Sequence, residues 1–399
     1  MKNIMIRLRK NNEIKGEDML GKDYKSIKEK YCDFVYPMVT LKIGDNLFAD
    51  NKNKLVLSDM MVELSCGTEA SAATFSIYNV YNLETGKYDF SKFKMYVQLG
   101  NAVTISMGYG GKEEEVFVGF VAQIRFIRSE VDIHHVEVTA LDAKGLMMSN
   151  NYVRQMTANN YGDAIKEIFR KPMYQKMNTE GIFRSVKVSD TPDKENTQGN
   201  QVTSYTVEMV SESDYEFVTR AAKRFNYEFY VDTGEIVFRK AKNTSEDCLL
   251  ELGMDKGIQS YDITYDMTGL VKSVEVRGMN TAKGKMVSAT KKVSNRISTG
   301  NKAKALIGKT QRVVVDANAI SQEQAQYRAD SLMEDISYRF GTLECTCIGI
   351  PELKPGHFLK ITGLGEPCTN RFYITNVRHV MTDSEGYITH VTAIAAALE

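Results

Sequence analysis

The chain has 399 residues, too many for one ordinary core, and its 43% hydrophobic and 26% charged content fits a globular chain of about two to three domains. Its 51 Lys and Arg balance 51 Asp and Glu, which excludes a whole-chain electrostatic bias toward nucleic acid or membrane. The cysteines Cys32, Cys66, Cys248, Cys345, Cys347 and Cys368 lack framework spacing, and no apolar run has spanning length; a reducing, cytosolic place of synthesis is expected.

Residues 1–34 read as a basic N-terminal extension, an arm without a continuous apolar run. From Val35 the pattern turns β: FVYPMVTLKIG, KLVLSDMMVELSC, ATFSIYNVYN, KMYVQLGNAVTISMGYG, VFVGFVAQIRFI and HHVEVTALDA are rich in β-branched and aromatic residues and bounded by turn formers. GYGGKEEE reads as a hairpin connection. These strands predict an antiparallel sheet bent into a sandwich or barrel over 35–150.

The character then changes over 151–255, a smaller α+β region. NNYGDAIKEIFRK predicts a helix with Ala164, Ile165, Ile168 and Phe169 on its apolar face and Pro172 as its stop. The polar stretch from Met177 to Tyr205 reads as a surface loop with short extended pieces. SESDYEFVTRAAKRFNYEFYVDTGEIVF (211–238) predicts a helix and a hairpin. Ser211 and Asp214 match a capping box, Phe217, Val218, Ala221, Ala222 and Phe225 form one stripe, and Asn226 is the stop.

A second β-rich region, 256–399, carries one long helix over 321–340, with Ala325, Ala329, Leu332, Met333, Ile336 and Phe340 on one face. Between Val276 and Val315 there is no acid, while Arg277, Lys283, Lys285, Lys291, Lys292, Arg296, Lys302, Lys304, Lys309 and Arg312 are basic. Nucleic-acid binding through this segment would call for interleaved aromatics, and it has none. It reads as an exposed loop or long hairpin, solvated or facing an acidic partner. The two β-rich regions are similar in size and flank the α+β part, a weak internal symmetry.

Candidate chemistry is sparse. Glu212, Asp214 and Glu216 fall in a helix's first turn, where negative charge complements the dipole, and Glu228 falls on the polar side of an alternating strand. Capping and solvation account for all four better than a glycosidase pair does. His134 and His135 are adjacent in a strand and point to opposite faces; His357, His379 and His390 follow no metal motif. Cys345 and Cys347 share a strand face and, even with Cys368, make a poor zinc signature, so they read as buried small hydrophobes. GYGGK lacks the Lys-Ser/Thr and helix of a phosphate loop. The residues therefore point to an interaction or assembly protein with no catalytic, cofactor or metal site. Gly356 after Pro355 is expected to serve a tight turn, and Asp142 to end a strand.

Several stretches, in their order, resemble the phage late control D family, the gp27-like hub proteins of contractile tails related to the VgrG hub of type VI secretion. GNAVTISMGYGGKEEEVFVGFVAQI, then HHVEVTALDAKGLM with Ala140 and Asp142, is similar to the family's first β-domain. NNYGDAIKEIF and SESDYEFVTRAAKRFNYEFYVDTGEIVF resemble its middle region; IPELKPGHFLKITG and FYITNVRHVMTDSEGYITHVTA resemble its closing strands. The resemblance covers roughly 35–399. It implies a mainly β fold with two tail-tube-like antiparallel β-barrel domains flanking the α+β domain, and no enzyme. The implied role is a structural baseplate hub of a phage tail, tailocin or injection system. A homotrimeric ring would adapt a hexameric inner tube to a trimeric spike. Its partners would be the inner tube or a tube-initiator protein, a separate spike polypeptide and other baseplate proteins. Synthesis would be in the bacterial cytoplasm and incorporation in the virion tail. Spike-bearing relatives continue into an OB-fold and β-helix, which is why the spike is expected to be separate, and the basic segment is longer than the family needs. A tail-associated cell-wall hydrolase using the acidic cluster is the alternative from another class.

Overall fold

Alternating apolar residues become strands wherever both a core side and a solvent side exist. The computed structural model describes residues 23–50, 52, 54–130, 132–193, 207–242, 246–280, 283–293 and 301–398. The extension read over 1–34 is described only from Asp23, and there it is no free arm. Helix α1 (Tyr24–Lys30) buries Ile27, and Tyr31 follows it into the core beside Tyr109 and Phe34. Lys30 is anchored between Glu114 and Glu352, at 2.6 and 2.7 Å.

The first region then gives β1 (Pro37–Ile43), β2 (Asn46–Leu47), β3 (Val56–Ser65), β4 (Ala72–Tyr78), the small hairpin β5 (Tyr81–Asn82) and β6 (Lys87–Tyr88), and the short helix α2 (Phe90–Phe93). After it come β7 (Ala102–Tyr109), β8 (Lys112–Ile127), β9 (His135–Leu141) and α3 (Lys144–Met147). KMYVQLG is not strand: Lys94–Tyr96 forms a helical turn, and β7 starts only at Ala102.

The middle part comprises β10 (Tyr152–Gln155), α4 (Tyr161–Phe169), α5 (Pro172–Thr179), β11 (Ser185–Val188), β12 (Glu208–Glu212), α6 (Asp214–Phe225), β13 (Tyr227–Asp232), β14 (Glu235–Lys240) and β15 (Cys248–Leu252). Pro172 does not merely stop α4; it opens α5 at the first helical position, where its missing N–H costs nothing. The stretch read as a loop begins within the last turn of α5 and holds one short extended piece, β11, which pairs in parallel with β14; residues 194–206 lie outside the described residues. Helices α4, α5 and α6 share a core with β13 and β14 that includes Ile165, Ile168, Phe217, Val218, Phe229 and Phe238.

The last region runs β16 (Ile258–Tyr265), β17 (Ser273–Asn280), β18 (Lys285–Lys292), α7 (Asn301–Ile307), β19 (Gln311–Val315), α8 (Gln322–Ser337), β20 (Gly341–Ile348), β21 (Phe358–Ile361), β22 (Asn370–Thr382) and β23 (Gly386–Ala395). The basic segment is no simple loop or hairpin. β17, β18 and β19 make their own sheet, and α8 packs Ala325, Ala329, Met333 and Ile336 against Val274 and Val276.

The fold is mostly β, with a large antiparallel sheet at its centre. The two β-rich regions do not form two separate closed barrels among the described pairings. They share one 13-stranded sheet, ordered β16-β20-β23-β22-β3-β4-β9-β8-β7-β1-β2, with β21 also paired to β22 and β15 to β21 off this path. The joint is β22 against β3, where Asn376–Met381 pair antiparallel with Met60–Ser65. One core lies beneath both halves, from Leu41 and Phe75 to Phe372 and Val391, because the sheet is continuous across the joint.

Candidate functional site

The acidic cluster on α6 is taken up by structural partners. The helix begins two residues later than expected: Ser213, not Ser211, is the N-cap, and its capping box closes with Glu216, whose Oε2 accepts from the Ser213 N–H at 2.7 Å. Those bonds hold the exposed Glu216 carboxyl below its ordinary value. Glu212 is bound to Arg220 at 2.6 Å. Asp214 is fully buried rather than solvated, and its Oδ2 accepts from Lys171 Nζ at 2.7 Å and from Tyr174 OH at 2.9 Å. Burial pushes the Tyr174 phenol up, with the carboxylate adding to it, and pushes the Lys171 amine down against the carboxylate's opposing pull.

Glu228 corrects the strand reading. Both faces of β13 are covered, one by α6 and the other by strands of the last region, so Glu228 lies buried where alternation predicted solvent. Its Oε1 accepts from Arg239 Nε at 2.7 Å, and its Oε2 accepts from the Tyr373 hydroxyl. Arg239 also donates to the Gly356 carbonyl. Burial raises the Glu228 carboxyl above its usual range, with Arg239 opposing. Nearby, Lys354 Nζ pairs with Asp232 at 3.0 Å. Gly356 serves its turn at φ 86°, and a Cβ there would stand 2.8 Å from the Tyr230 hydroxyl.

Asp142 does follow the end of β9, and it does more. Its Oδ2 accepts the Ser71 N–H at 2.8 Å and its Oδ1 the Lys144 N–H at 2.9 Å. Lys144, fully buried, reaches the carbonyls of Gly67, Glu69 and Phe229 and so ties the first region to β13. Burial lowers the Lys144 amine and raises Asp142, each softened by the other.

The histidines occupy separate settings. His135 is buried, while His134 lies on the other side and stacks on Tyr81 at 3.6 Å. His379 is fully buried between Thr389 Oγ1, the Leu353 carbonyl and the Tyr387 hydroxyl, and burial pushes it down to about 3. His390 bonds to Thr346 at 2.9 Å, and His357 is lowered by burial despite Asp232. Cys345 and Cys347 are buried as expected; the Cys345 thiol is pushed up to about 12, and Cys368 is half-buried. No group of three His, Cys, Asp or Glu among the described residues is placed to hold a metal ion.

In the basic segment, Lys291 pairs with Asp330 of α8 at 3.2 Å and Arg277 with Glu275 at 2.7 Å. Arg296 lies outside the described residues. The open face of this sheet carries exposed Met279, Met286, Val313 and Val315.

Sequence reading missed a broad polar trough of about 660 Å³ on the main sheet. It lies across β16, β20, β23, β22 and β3, on the face turned away from the core. One row runs Asp262, Glu344, Thr392, Asn376, Ser65; the next runs Ser260, Thr346, His390, Arg378, Glu63. The only signal was ordinary polar alternation in five strands far apart in sequence, which no single strand betrays.

A family model described as the Alg8 N-terminal domain matches residues 69–383. No curated protein matches the chain. Among solved structures, a tail protein from Neisseria meningitidis aligns with a TM-score of 0.62 at 12% identity, covering 90% of this chain and 97% of that one. The 43 kDa tail protein of prophage MuSo2 from Shewanella oneidensis aligns at 0.60 and 14% identity, covering 90% and 98%. An E. coli component of the type VI secretion system, described as similar to the T4 bacteriophage tail proteins gp27 and gp5, aligns at 0.52 and 12% identity, covering 90% and 78%. At these identities the likeness is one of fold.

Proposed function

The chain belongs to the family described as the Alg8 N-terminal domain, and we propose that it serves as a structural part of a phage-tail-like particle. One observation carries this: its fold follows two tail proteins through 90% of its own length and nearly all of theirs. The family description names no reaction. In this chain Glu212, Asp214, Glu216 and Glu228 are each engaged by a cap or a basic partner, an arrangement that serves folding. The likeness to tail proteins supports a structural rather than an enzymatic role.

The finer reading is a baseplate hub. Three copies form a ring, each giving two β domains, 35–150 and 256–399, around the middle domain 151–255. Six such domains match a hexameric inner tube on one side, and the three-fold ring matches a trimeric spike on the other. The continuous sheet supports this, since it holds both β domains of one copy in a fixed mutual orientation. Partners are the inner tube or its initiator, a separate spike protein and other baseplate proteins, and the place of action is the tail of the assembled particle. Purified particles analysed by quantitative mass spectrometry and electron microscopy should contain three copies on the tail axis. Six copies, or a position off the axis, would overturn the hub reading.

A further inference from the structure

Among the described residues, the small sheet of the basic segment is covered on one face only. There α8 packs against Val274 and Val276. On the other side Met279 of β17 stands opposite Met286 of β18, and Val313 and Val315 of β19 stand opposite Glu275 and Arg277. Met286 is 71% exposed and Val315 80%. The strand pattern calls for more cover than that. β19 reads QRVVV and pairs in parallel with β17, and a continuous apolar run in a parallel strand belongs to a sheet buried on both faces.

Charge decides what kind of cover fits. The one acid on this face, Glu275, is already satisfied, by Arg277 at 2.7 Å and by Gln311 at 2.9 Å. Lys292 lies on the same face, Lys283 stands in the turn at its Met279 end, and Lys309 precedes β19 at its opposite end. None of these three lysines forms an ion pair among the described residues, and from Val276 to Val315 the sequence offers them no acid. The patch is therefore apolar along β19 and across the hairpin end, with cations at both ends. A second copy laid on it would set lysine against lysine, which opposes self-pairing.

We infer that this face receives an amphipathic helix of another protein, apolar toward Met279, Met286, Val313 and Val315 and acidic toward Lys283, Lys292 and Lys309. Size fits as well as charge. β17 runs for roughly 26 Å, the length of a helix of about 18 residues. A helix on this side would complete a sandwich that α8 begins on the other. Burial of the methionines and valines supplies the attachment, and their flexible or branched side chains accept a range of apolar shapes. The lysines select an acidic partner and orient it. This inference is independent of the hub reading.

Fluorescence anisotropy with the full chain and two labelled helical peptides of about 18 residues tests it. Both peptides carry the same leucine face; one is flanked by glutamates and the other by lysines. The glutamate peptide should bind about tenfold or more tightly than the lysine peptide at low salt. M286D/V315D should weaken the glutamate peptide about tenfold or more, by removing the apolar contact. K283E/K292E/K309E should reverse the order of the two peptides. All five positions are exposed, so both variants should melt with wild type. Equal affinity for the two peptides would overturn the inference, as would binding that survives M286D/V315D or no binding by the glutamate peptide at about 1 mM. Duplex DNA or phosphatidylserine vesicles held more tightly than the glutamate peptide, and released by K283E/K292E/K309E, would replace the helix with a nucleic acid or a membrane. Self-association of the wild-type chain that M286D/V315D abolishes would replace it with a second copy.

Discussion

The main sheet and the middle part are held by different physics. Across the β22–β3 joint the two β-rich regions share backbone pairing and one apolar core, from Leu64 to Val377. The middle part has a core of its own, and buried polar groups tie it to both neighbours: Lys144 on one side, Glu228 with Arg239 and Tyr373 on the other. An apolar joint tolerates small shifts, because burial has no direction. A buried ion pair tolerates few, since losing its geometry leaves an uncompensated charge. Apolar packing of Phe120, Cys66, Phe358 and Tyr373 also reaches the middle part, and the charged ties fix the angle at which it stands.

The sharpest way to break that contrast is Arg239→Met. It keeps the Tyr373 contact but strips the buried Glu228 of its guanidinium partner, which should cost about 3 kcal/mol in urea denaturation. Glu228→Gln with Arg239→Met should recover much of that loss, because no unpaired charge is then left buried. A double variant as unstable as the single one would show that the tie works through packing and not through charge.

Protons should distinguish the two regions by sign. Burial raises Glu228 in the folded state, so the folded chain takes up that proton more readily than the unfolded one. Between the ordinary carboxylate range and its raised value, Glu228's contribution to stability grows as pH falls. His379, in the sheet core, is the reverse. Its folded value of about 3 lies below the ordinary 6.5, so the unfolded chain gains the proton first and stability is lost as pH falls from 6.5 toward 3. His379→Gln removes that dependence. The stability gap between wild type and variant should narrow by about 2 kcal/mol between pH 7 and pH 5, measured by denaturation at each pH. An unchanged gap would mean that His379 does not titrate differently in the two states.

Much of this architecture was legible in sequence, because strands with one wet face announce themselves. β3, β4, β7, β9 and β23 alternate, and the α6 stripe of Phe217, Val218, Ala221 and Ala222 is buried as read. The candidate residues were legible only where local rules decide. Cys345 and Cys347 followed their strand face, and Gly356 followed its turn. Glu228 did not, because the second layer over β13 comes from β22, far along the chain, and Tyr373 leaves no mark on the local pattern. Pro172 was ambiguous for a local reason: the residue that ends one helix is equally suited to begin the next. The sharing of one sheet by both β-rich regions depends on the register of Asn376 with Ser65, a long-range choice that periodicity does not encode.

The smallest effect tests the finest of these readings, the start of α6. Ser211 and Ser213 both precede an acid by three residues or fewer, so composition alone cannot choose between them. The backbone chooses. Ser213 is extended at φ −75° and ψ 162°, the conformation a cap needs, and its hydroxyl accepts the Glu216 N–H at 3.1 Å. Ser211 sits at φ 52°, in the left-handed region, where its side chain costs energy and caps nothing on the helix. Ser213→Ala should therefore lose about 1 kcal/mol. Ser211→Gly should be neutral or gain up to about 1 kcal/mol, since glycine adopts that φ freely. Thermal denaturation of the two variants beside wild type resolves the pair. A loss in the Ser211 variant with none in the Ser213 variant would return the cap to the earlier serine and move the start of α6 with it.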